Sequence, residues 1–444
     1  MNYTETLAKY GAELSYEAIP AEIVSQCKKD ILDYISCAYG GGKPDSGRVA
    51  AGFARDFAEK GKCTVIGQGC KSAPYNAAFA NAILSHSIEL DDVDILAYFH
   101  TGPQTVSAAL AAAEWADADG KTFLTGVELG SEYINRISEA TNPSLRNRGF
   151  HTTPTCGVFG AAAAAGRILA LSSEQMVSCL GLAGAQASGL MEMYGKSMQK
   201  RFNPGPAARN GVTAALFAQR GFTGAETILE GERGFCRAFA DTAELERLTA
   251  GLGRDFRVSF EYKPYSCARP IHNAIDCALE IRGKHDFSLD DVESMICERH
   301  PEWAHYHDIK EPESYHMSQV SLPYSVAAAL TFGKALFDEY DEVNLQNKSL
   351  MRLCRMLEIK PEPSLPRGVS CRLLVALKDG RTLVSQVDYP KGSYENPMTD
   401  QEHYDKFVNL SSHKLDPARQ RQIFDLVWNL EKTANISELT QLLV

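Results

Sequence analysis

The stretch TCGVFGAAAAAGRILAL, residues 155–171, indicates how a large part of the chain folds. Nine of its 17 residues are Ala or Gly, and no proline interrupts it. Such a run favours an α-helix. Because small side chains let helix axes approach each other closely, the stretch predicts a helix inside a dense helical domain.

Residues 1–263 continue this pattern on both sides of that stretch. Segments such as PQTVSAALAAAEWA and GPAARNGVTAALFAQRG are again rich in Ala and Gly. Nearer the start, apolar residues recur at the spacing that places one stripe on one helix face, and Gly40 ends the pattern; these residues are Ile23, Cys27, Ile31, Tyr34 and Ile35. We therefore expect residues 1–263 to form one helical domain.

The sequence pattern changes near residue 263. VESMICERH is typical of a strand, and SCRLLVALKDGRTLVSQVDYP has Lys378-Asp379-Gly380 between two alternating apolar runs, which predicts a hairpin. We expect an α+β domain over residues 264–393, after which residues 394–444 return to helical periodicity and pack on the first domain. The predicted fold class is mainly α, with a large helical domain and a smaller α+β domain.

Net charge, apolar runs and cysteine spacing argue against several classes of protein. The formal net charge of −11 argues against nucleic acid or an anionic membrane, since both attract cationic proteins. The first residues do not resemble a signal peptide, and the longest apolar run is too short for a bilayer, so we expect a soluble, cytoplasmic protein. The 12 cysteines contain no CxxC pair and are expected to be reduced.

Common nucleotide and zinc-peptidase motifs do not fit the chain. Gly120-Lys121-Thr122 would end a phosphate-binding loop only if Gly stood where Trp115 stands. The patterns HExxH and GxSxG are absent from the sequence.

A more informative pattern is a basic residue placed just before a proline-containing helix start. His100 precedes Thr-Gly-Pro, His151 precedes Thr-Thr-Pro, and Lys200-Arg201 precedes FNPGP; Arg269 precedes Pro270. Helix N-termini hold partial positive charge, so these starts would together form a site for a small anion with more than one carboxylate or phosphate. The alternative is that each histidine is a structural cap or a satisfied, partly buried residue.

The acidic segment IELDDVD, residues 88–94, also has two interpretations. It can be a solvated helix end, or Asp91 or Asp92 can orient a histidine while Glu89 faces the anion site. Arginines that can clamp carboxylates through two hydrogen bonds are Arg148, Arg201, Arg209 and Arg269, each of which can equally be a surface residue.

These segments resemble the MmgE/PrpD family in collinear order. The resemblance rests on HSIELDDVD, RGFHTTPTCGVFGAAAAAGRILAL, KRFNPGPAARNGVTAALFAQRGFTG, YKPYSCARPIHNAIDCAL and YPKGSYENPMT. It implies a helical domain completed by the C-terminal tail, a smaller α+β lid with the active site between them, and a homodimer. It further implies site residues at Glu89, Asp91, Asp92, His100, His151, Lys200, Tyr324 and His272.

The chain departs from the family pattern at several of these motifs. Val93 follows the acidic motif in place of Thr or Ser, Thr101 follows His100 in place of Pro, and Asn203 and Ala268 stand where relatives have histidine. The resemblance therefore leaves the exact substrate open.

The resemblance implies a lyase that needs no metal or other cofactor and removes a proton next to a carboxylate of a small di- or tricarboxylic acid, by dehydratase-type β-elimination. Decarboxylation, epimerisation, or polycarboxylate binding without catalysis are the alternatives. The base would be His151, His100 or neutral Lys200, the proton donor Tyr324 or His100, and Asp91 would hold a histidine in place. The expected substrate-binding residues are Glu89, Arg201, Arg209, Arg269 and His272.

Overall fold

The computed structural model describes residues 2–58, 61–94, 98–193, 197–258, 261–366 and 370–444. The chain forms two compact units, of which the first comprises Met1–Phe260 and Thr399–Val444 and the second Glu261–Met398. Each unit has its own hydrophobic core. In the described parts of the chain, no helix combines the length and apolar character needed to cross a membrane.

The first unit is almost wholly helical. A short antiparallel pair, β1 (Cys63–Val65) and β2 (Cys70–Ser72), interrupts the helices. Its helices before the second unit are α1 (Tyr3–Glu13), α2 (Ala21–Gly40), α3 (Asp45–Asp56), α4 (Pro74–His86), α5 (Gly102–Ala116), α6 (Gly120–Thr141), α7 (Ser144–Asn147), α8 (Thr152–Ile168), α9 (Ser173–Gly184), α10 (Gln199–Phe202), α11 (Pro204–Gln219) and α12 (Phe235–Phe239).

Helix α8 lies in the interior of this unit, and every residue in it except Arg167 is buried. Small residues make this possible at its crossings with α6 and α11. A Cβ atom added at Gly160 would lie 2.7 Å from the Gly130 carbonyl oxygen, and one added at Gly211 would lie 2.5 Å from the Ala161 Cβ. Since no side chain fits at these crossings, the close approach expected from the sequence is confirmed.

The second unit combines helices with one mixed sheet. In chain order its elements are α13 (His272–Lys284), β3 (Val292–Arg299), α14 (Tyr315–Ser318), α15 (Leu322–Phe332), α16 (Lys348–Met356), β4 (Leu357–Pro361), β5 (Cys371–Leu377) and β6 (Thr382–Val387). The strand order is β4-β3-β5-β6, with β3 and β4 parallel and the other pairs antiparallel. The predicted fold class, helical with an α+β part, is confirmed.

Strands β5 and β6 form the predicted hairpin. Alternate residues of β5 are buried, as expected for a strand with one face on the core. At the turn, Gly380 has a φ of +88°, a left-handed conformation that glycine adopts without strain, and the Leu377 N–H donates to the Arg381 carbonyl at 2.8 Å.

The last helices of the chain belong to the first unit; they are α17 (Asp400–Ser411), α18 (Pro417–Trp428) and α19 (Ser437–Thr440). Helix α17 begins with a capping box formed by Thr399 and Glu402. It packs on α2, where the rings of Tyr39 and Phe407 lie 6.5 Å apart. The C-terminal segment therefore contributes to the same core as the first helices of the chain.

Candidate active site

One carboxylate oxygen lies between two histidines at the end of α4. Nδ1 of His86, the last residue of that helix, is 2.8 Å from Oδ2 of Asp91, and Nδ1 of His100 is 3.0 Å from the same oxygen. The two imidazole rings meet edge to face, with 4.7 Å between their centroids. All three residues are buried.

The hydrogen bonds of His100 fix the position of its ring proton. Besides Asp91, the carbonyl oxygen of Asp92 lies 2.6 Å from Nδ1. Both neighbours can only accept, so Nδ1 must hold the proton. In the neutral ring Nε2 then has a free lone pair, which is the form of a general base.

Electrostatics keep Asp91 charged and His86 neutral. Burial alone would raise the pKa of Asp91, but His86 and His100 outweigh it and hold that pKa well below its usual range. Burial lowers the pKa of His86 to about 4, against the opposing effect of Asp91. At neutral pH, His86 therefore donates its Nδ1 proton to an ionised carboxylate.

Asp92, unlike Asp91, caps the N-terminus of helix α5. Its carboxylate accepts from the backbone N–H groups of Thr101 at 2.8 Å and Gly102 at 2.9 Å. A Cβ at Gly102 would lie 2.7 Å from Asp92 Oδ1, which explains the glycine there. Burial and the charge of Asp91 raise the pKa of Asp92 to about 6.

Glu89 gathers two cations beside this cluster. Its φ of +56° is a left-handed conformation that is uncommon for a residue with a side chain. One carboxylate oxygen lies 2.5 Å from Nζ of Lys200, and the other forms an ion pair with Arg201. Glu89 therefore holds an ammonium and a guanidinium group side by side at the edge of the histidine cluster.

His151 holds the opposite tautomer from His100. It occupies the N-cap position of α8, and its Nδ1 lies 2.9 Å from the side-chain nitrogen of Asn203. An amide nitrogen only donates, so Nδ1 of His151 accepts and its neutral ring keeps the proton on Nε2. Burial, followed by the charge of Lys200, holds the pKa of His151 well below its usual range, which keeps the ring neutral.

A hydrogen bond joins the N-terminal ends of α5 and α8. The backbone N–H of His100 donates to Oγ1 of Thr153, in the first turn of α8, at 3.2 Å. His86 and His100 also contribute to the electrostatic environment of His151. Two of the predicted helix starts therefore belong to one cluster, together with Lys200 and Arg201.

His86, Asp91 and His100 also form a group whose donor atoms lie within 4.8 Å of one another, close enough to be tested as metal ligands. Ligands of a tetrahedral zinc ion at about 2.0–2.2 Å would lie roughly 3.3 Å from each other. The N–O distances of 2.8 and 3.0 Å are instead those of hydrogen bonds. The geometry therefore fits shared protons better than a shared metal ion.

Arg209 has contacts outside this cluster. Its Nε donates to Oδ1 of the neighbouring Asn210 at 3.2 Å, and its guanidinium carbon lies 5.3 Å from the centre of the Phe79 ring. Its predicted role in substrate binding gains no support from these contacts.

Three predicted site residues lie in the second unit. The hydroxyl of Tyr324, whose pKa burial raises, donates to the Glu339 carbonyl at 2.9 Å. Arg269 donates from Nη1 to the Lys391 carbonyl at 2.9 Å and lies with the same nitrogen 3.1 Å from Nδ1 of His272. Arg269 and His272 are thus neighbours, while the phenol of Tyr324 is engaged with a backbone carbonyl.

Neither His86 nor Asn203 was predicted as a site residue from the sequence. The sequence could have indicated the pairing of His86 with Asp91, because the two residues are only five positions apart and His86 ends a helix. Asn203 was noted only as a departure from the family pattern, and its pairing with His151 spans 52 positions.

Comparisons with known proteins cover nearly the whole chain. Residues 5–248 match the MmgE/PrpD N-terminal domain, and residues 265–432 match the MmgE/PrpD C-terminal domain. A cis-aconitate decarboxylase-like protein, oryM, of Aspergillus oryzae is 29% identical over 100% of this chain and 97% of its own length. Cis-aconitate decarboxylase of Aspergillus terreus is 29% identical over 99% of this chain and 95% of its own, and that of Homo sapiens 25% over 99% and 94%.

Proposed function

Because the chain belongs to the MmgE/PrpD family and is a lyase-type enzyme, we propose that it transfers a proton at a carbon next to a carboxylate of a small tricarboxylic acid. The proposed reaction is β-elimination of the dehydratase type. Decarboxylation of the same class of substrate is the second candidate, favoured because the three relatives are named as cis-aconitate decarboxylases or a protein like them.

The observation that best supports the proposal is the pair of opposite tautomers. His100 has its proton on Nδ1 and a lone pair on Nε2, whereas His151 accepts at Nδ1 and retains a proton on Nε2. One neutral imidazole can thus accept a proton while the other donates one. Elimination requires such a base and such an acid at the same time.

In the proposed elimination, Nε2 of His100 removes the proton next to a substrate carboxylate. The C–H electron pair forms the new double bond, and the C–O bond of the hydroxyl group breaks. His151 donates its Nε2 proton to that oxygen, so water leaves and an imidazolate remains beside the Lys200 ammonium. Proton transfer from the His100 imidazolium through water then restores both neutral rings. This assigns the base to His100, one of the three candidates from the sequence, and the acid to His151 in place of Tyr324 or His100.

The remaining groups stabilise charge. The ionised Asp91 stabilises the imidazolium that forms on His100, as a carboxylate does beside a catalytic histidine. Lys200 and Arg201, which Glu89 holds side by side, stabilise the negative charge that grows on the substrate carboxylate. Because Lys200 is paired with Glu89, we assign it to charge stabilisation rather than to proton abstraction.

Decarboxylation would use the same groups. The bond to the departing carboxylate breaks, its electron pair spreads onto the remaining carbon framework, and an imidazole proton is added to carbon. Lys200 and Arg201 would again stabilise the transient negative charge.

The test is an assay in D₂O with citrate, 2-methylcitrate and cis-aconitate, followed by proton NMR. Elimination gives an alkene without loss of carbon, and the reverse reaction places deuterium next to a carboxylate; decarboxylation releases CO₂ and leaves deuterium on carbon. The variants His100→Asn and His151→Asn should abolish both signals, with His285→Asn, at an exposed position, as the matched control. Binding of these acids, seen as a raised melting temperature, without labelling or product would contradict the proposal and favour a non-catalytic binder.

The family resemblance further implies a homodimer, which we include in the proposal. Light scattering of the purified protein would detect it, and a concentration-independent monomer would contradict it.

A further inference from the structure

A lysine from the C-terminal segment reaches the acidic motif of the site. Nζ of Lys406, in α17, donates to the backbone carbonyl of Leu90 at 2.6 Å, across 316 positions of sequence. The same nitrogen lies 2.5 Å from Oδ1 of Asp33 in α2. The side chains of Lys406 and Asp33 are 6% and 1% exposed, so these contacts are shielded from water.

The Leu90 carbonyl lies between two residues of the candidate site. Leu90 links Glu89, which pairs with Lys200 and Arg201, to Asp91, which bridges the two imidazoles. Glu89 is also in the left-handed region, a conformation that persists only when surrounding contacts hold it. A charged hydrogen bond to the next carbonyl is such a contact.

We propose that Lys406 is a positioning residue for this site: its ammonium group holds the Leu90 carbonyl and thereby the directions in which Glu89 and Asp91 project. The functional part of this inference rests on the proposed function. The C-terminal segment would then set the geometry of the site besides packing on α2.

The charges around Lys406 agree with a geometric role. Burial lowers the pKa of Lys406, but Asp33 and, more weakly, Asp91 outweigh it, so the ammonium form is retained. Because Asp33 neutralises this charge, the pair adds no net charge near the site. Lys406 therefore supplies a hydrogen-bond donor directed at the Leu90 carbonyl.

The alternative is that the pair only joins α17 to α2. The double variant Asp33→Asn/Lys406→Met separates these roles, since it removes both buried charges and also the donor for the Leu90 carbonyl. Replacing both partners of a buried ion pair is often neutral for stability, whereas removing one leaves the other uncompensated. A second double variant, Asp33→Asn/Lys406→Leu, serves if the first fails to fold.

A matched control is available on the same two helices. Lys29 in α2 and Asp400 in α17 form an ion pair at 3.4 Å whose side chains are 23% and 58% exposed. The double variant Lys29→Met/Asp400→Asn removes this contact between α17 and α2 without touching Leu90.

The experiment measures the melting temperature, kcat and KM, and the imidazole N–H resonances of protein labelled with ¹⁵N-histidine. We expect the Asp33→Asn/Lys406→Met protein to melt within a few degrees of the wild type. We expect kcat to fall about 10²-fold, as for a misplacement near 1 Å, with KM little changed. The Nδ1–H resonances of His86 and His100 should shift, and the control pair should leave all of these unchanged.

Wild-type kcat and wild-type resonances in a folded double variant would overturn the inference and leave a purely structural pair. Lowered kcat with unchanged resonances would also overturn it, because Asp91 would not have moved. The resonances are recorded without substrate. A wild-type protein that turns over no polycarboxylate would therefore refute the proposed function and still test Lys406.

Discussion

Asn203 donates its side-chain N–H to Nδ1 of His151 at 2.9 Å, and so imposes on this histidine the tautomer opposite to that of His100. The same amide nitrogen lies 3.1 Å from the sulfur of Met193, which further favours a donor at this position. In the proposed mechanism, which imidazole acts as the base and which as the acid therefore depends on Asn203, an uncharged residue.

The first prediction concerns Asn203→Asp. A carboxylate accepts where the amide donates, so in the neutral ring the proton would move to Nδ1 and leave Nε2 without one. The carboxylate would also raise the pKa of His151, so the comparison is made at alkaline pH, where the ring is neutral. We expect kcat to fall about 10²–10⁴-fold while the fold is retained, since the acid loses its tautomer. Steady-state kinetics on the identified substrate measures this, with Asn210→Asp as control; unchanged kcat would mean that His151 is not the acid.

The second prediction concerns Lys200→Ala. Arg201 still neutralises Glu89 in this variant, so the melting temperature should stay nearly unchanged. We expect kcat/KM to fall at least about 10²-fold, because the ammonium group stabilises charge in the transition state. Lys121→Ala, which removes an exposed ion pair with Glu17, is the control. Normal turnover in the Lys200 variant would remove this lysine from the mechanism.

The third prediction concerns stability and pH. The pKa of His86 is about 4 in the folded chain and 6.5 for an ordinary histidine, so between these values the unfolded state binds the extra proton. The contribution of His86 to stability is complete above pH 6.5 and is lost as the pH falls to 4, by about 3 kcal/mol in total. The raised pKa of Asp92 acts in the opposite direction over the same pH range but is common to both proteins, so the test is the difference between wild type and His86→Asn. Denaturant titrations should show that, as the pH falls from 6.5 to 4, the free energy of unfolding changes in the two proteins by amounts that differ by about 3 kcal/mol; the same pH dependence in both would be evidence against a neutral His86.

The fourth prediction concerns helix crossings. In Gly130→Ala the new Cβ would lie 2.5 Å from Cγ2 of Thr105 and 2.8 Å from the Gly160 carbonyl oxygen. We expect the free energy of unfolding to fall by about 1–3 kcal/mol. Gly52→Ala in α3, where a Cβ meets nothing within 4 Å, should instead gain about 0.5–1 kcal/mol. Equal effects of the two changes would show that close packing at Gly130 is unimportant.

The fold class was predictable because its signals are local. The spacing of Ile23, Cys27 and Ile31 indicates a helix without knowledge of the rest of the chain, and the residues around Gly380 indicate a hairpin turn. The small residues of α8 predicted close packing, although not that Gly160 would face Gly130. Which helices cross depends on the whole chain path.

The grouping of residues in the candidate site was predictable only in part. The sequence pointed to His100, His151 and Lys200 as site residues, and the structure groups them. It could not pair His151 with Asn203 or Leu90 with Lys406, because side-chain contacts over 52 and 316 positions follow from tertiary structure. The contact between His86 and Asp91 could have been predicted more easily than these long-range contacts, since both residues lie in one short motif.

The first unit contains residues from both ends of the chain, which matters for how the protein is made. A ribosome that has finished Phe260 must add the 138 residues from Glu261 to Met398 before α17 can begin to emerge. At about 5–20 residues per second this takes roughly 7–28 s. During that time the surface of α2 that receives α17 stays uncovered, so we expect it to be open to chaperones until α17 has been made.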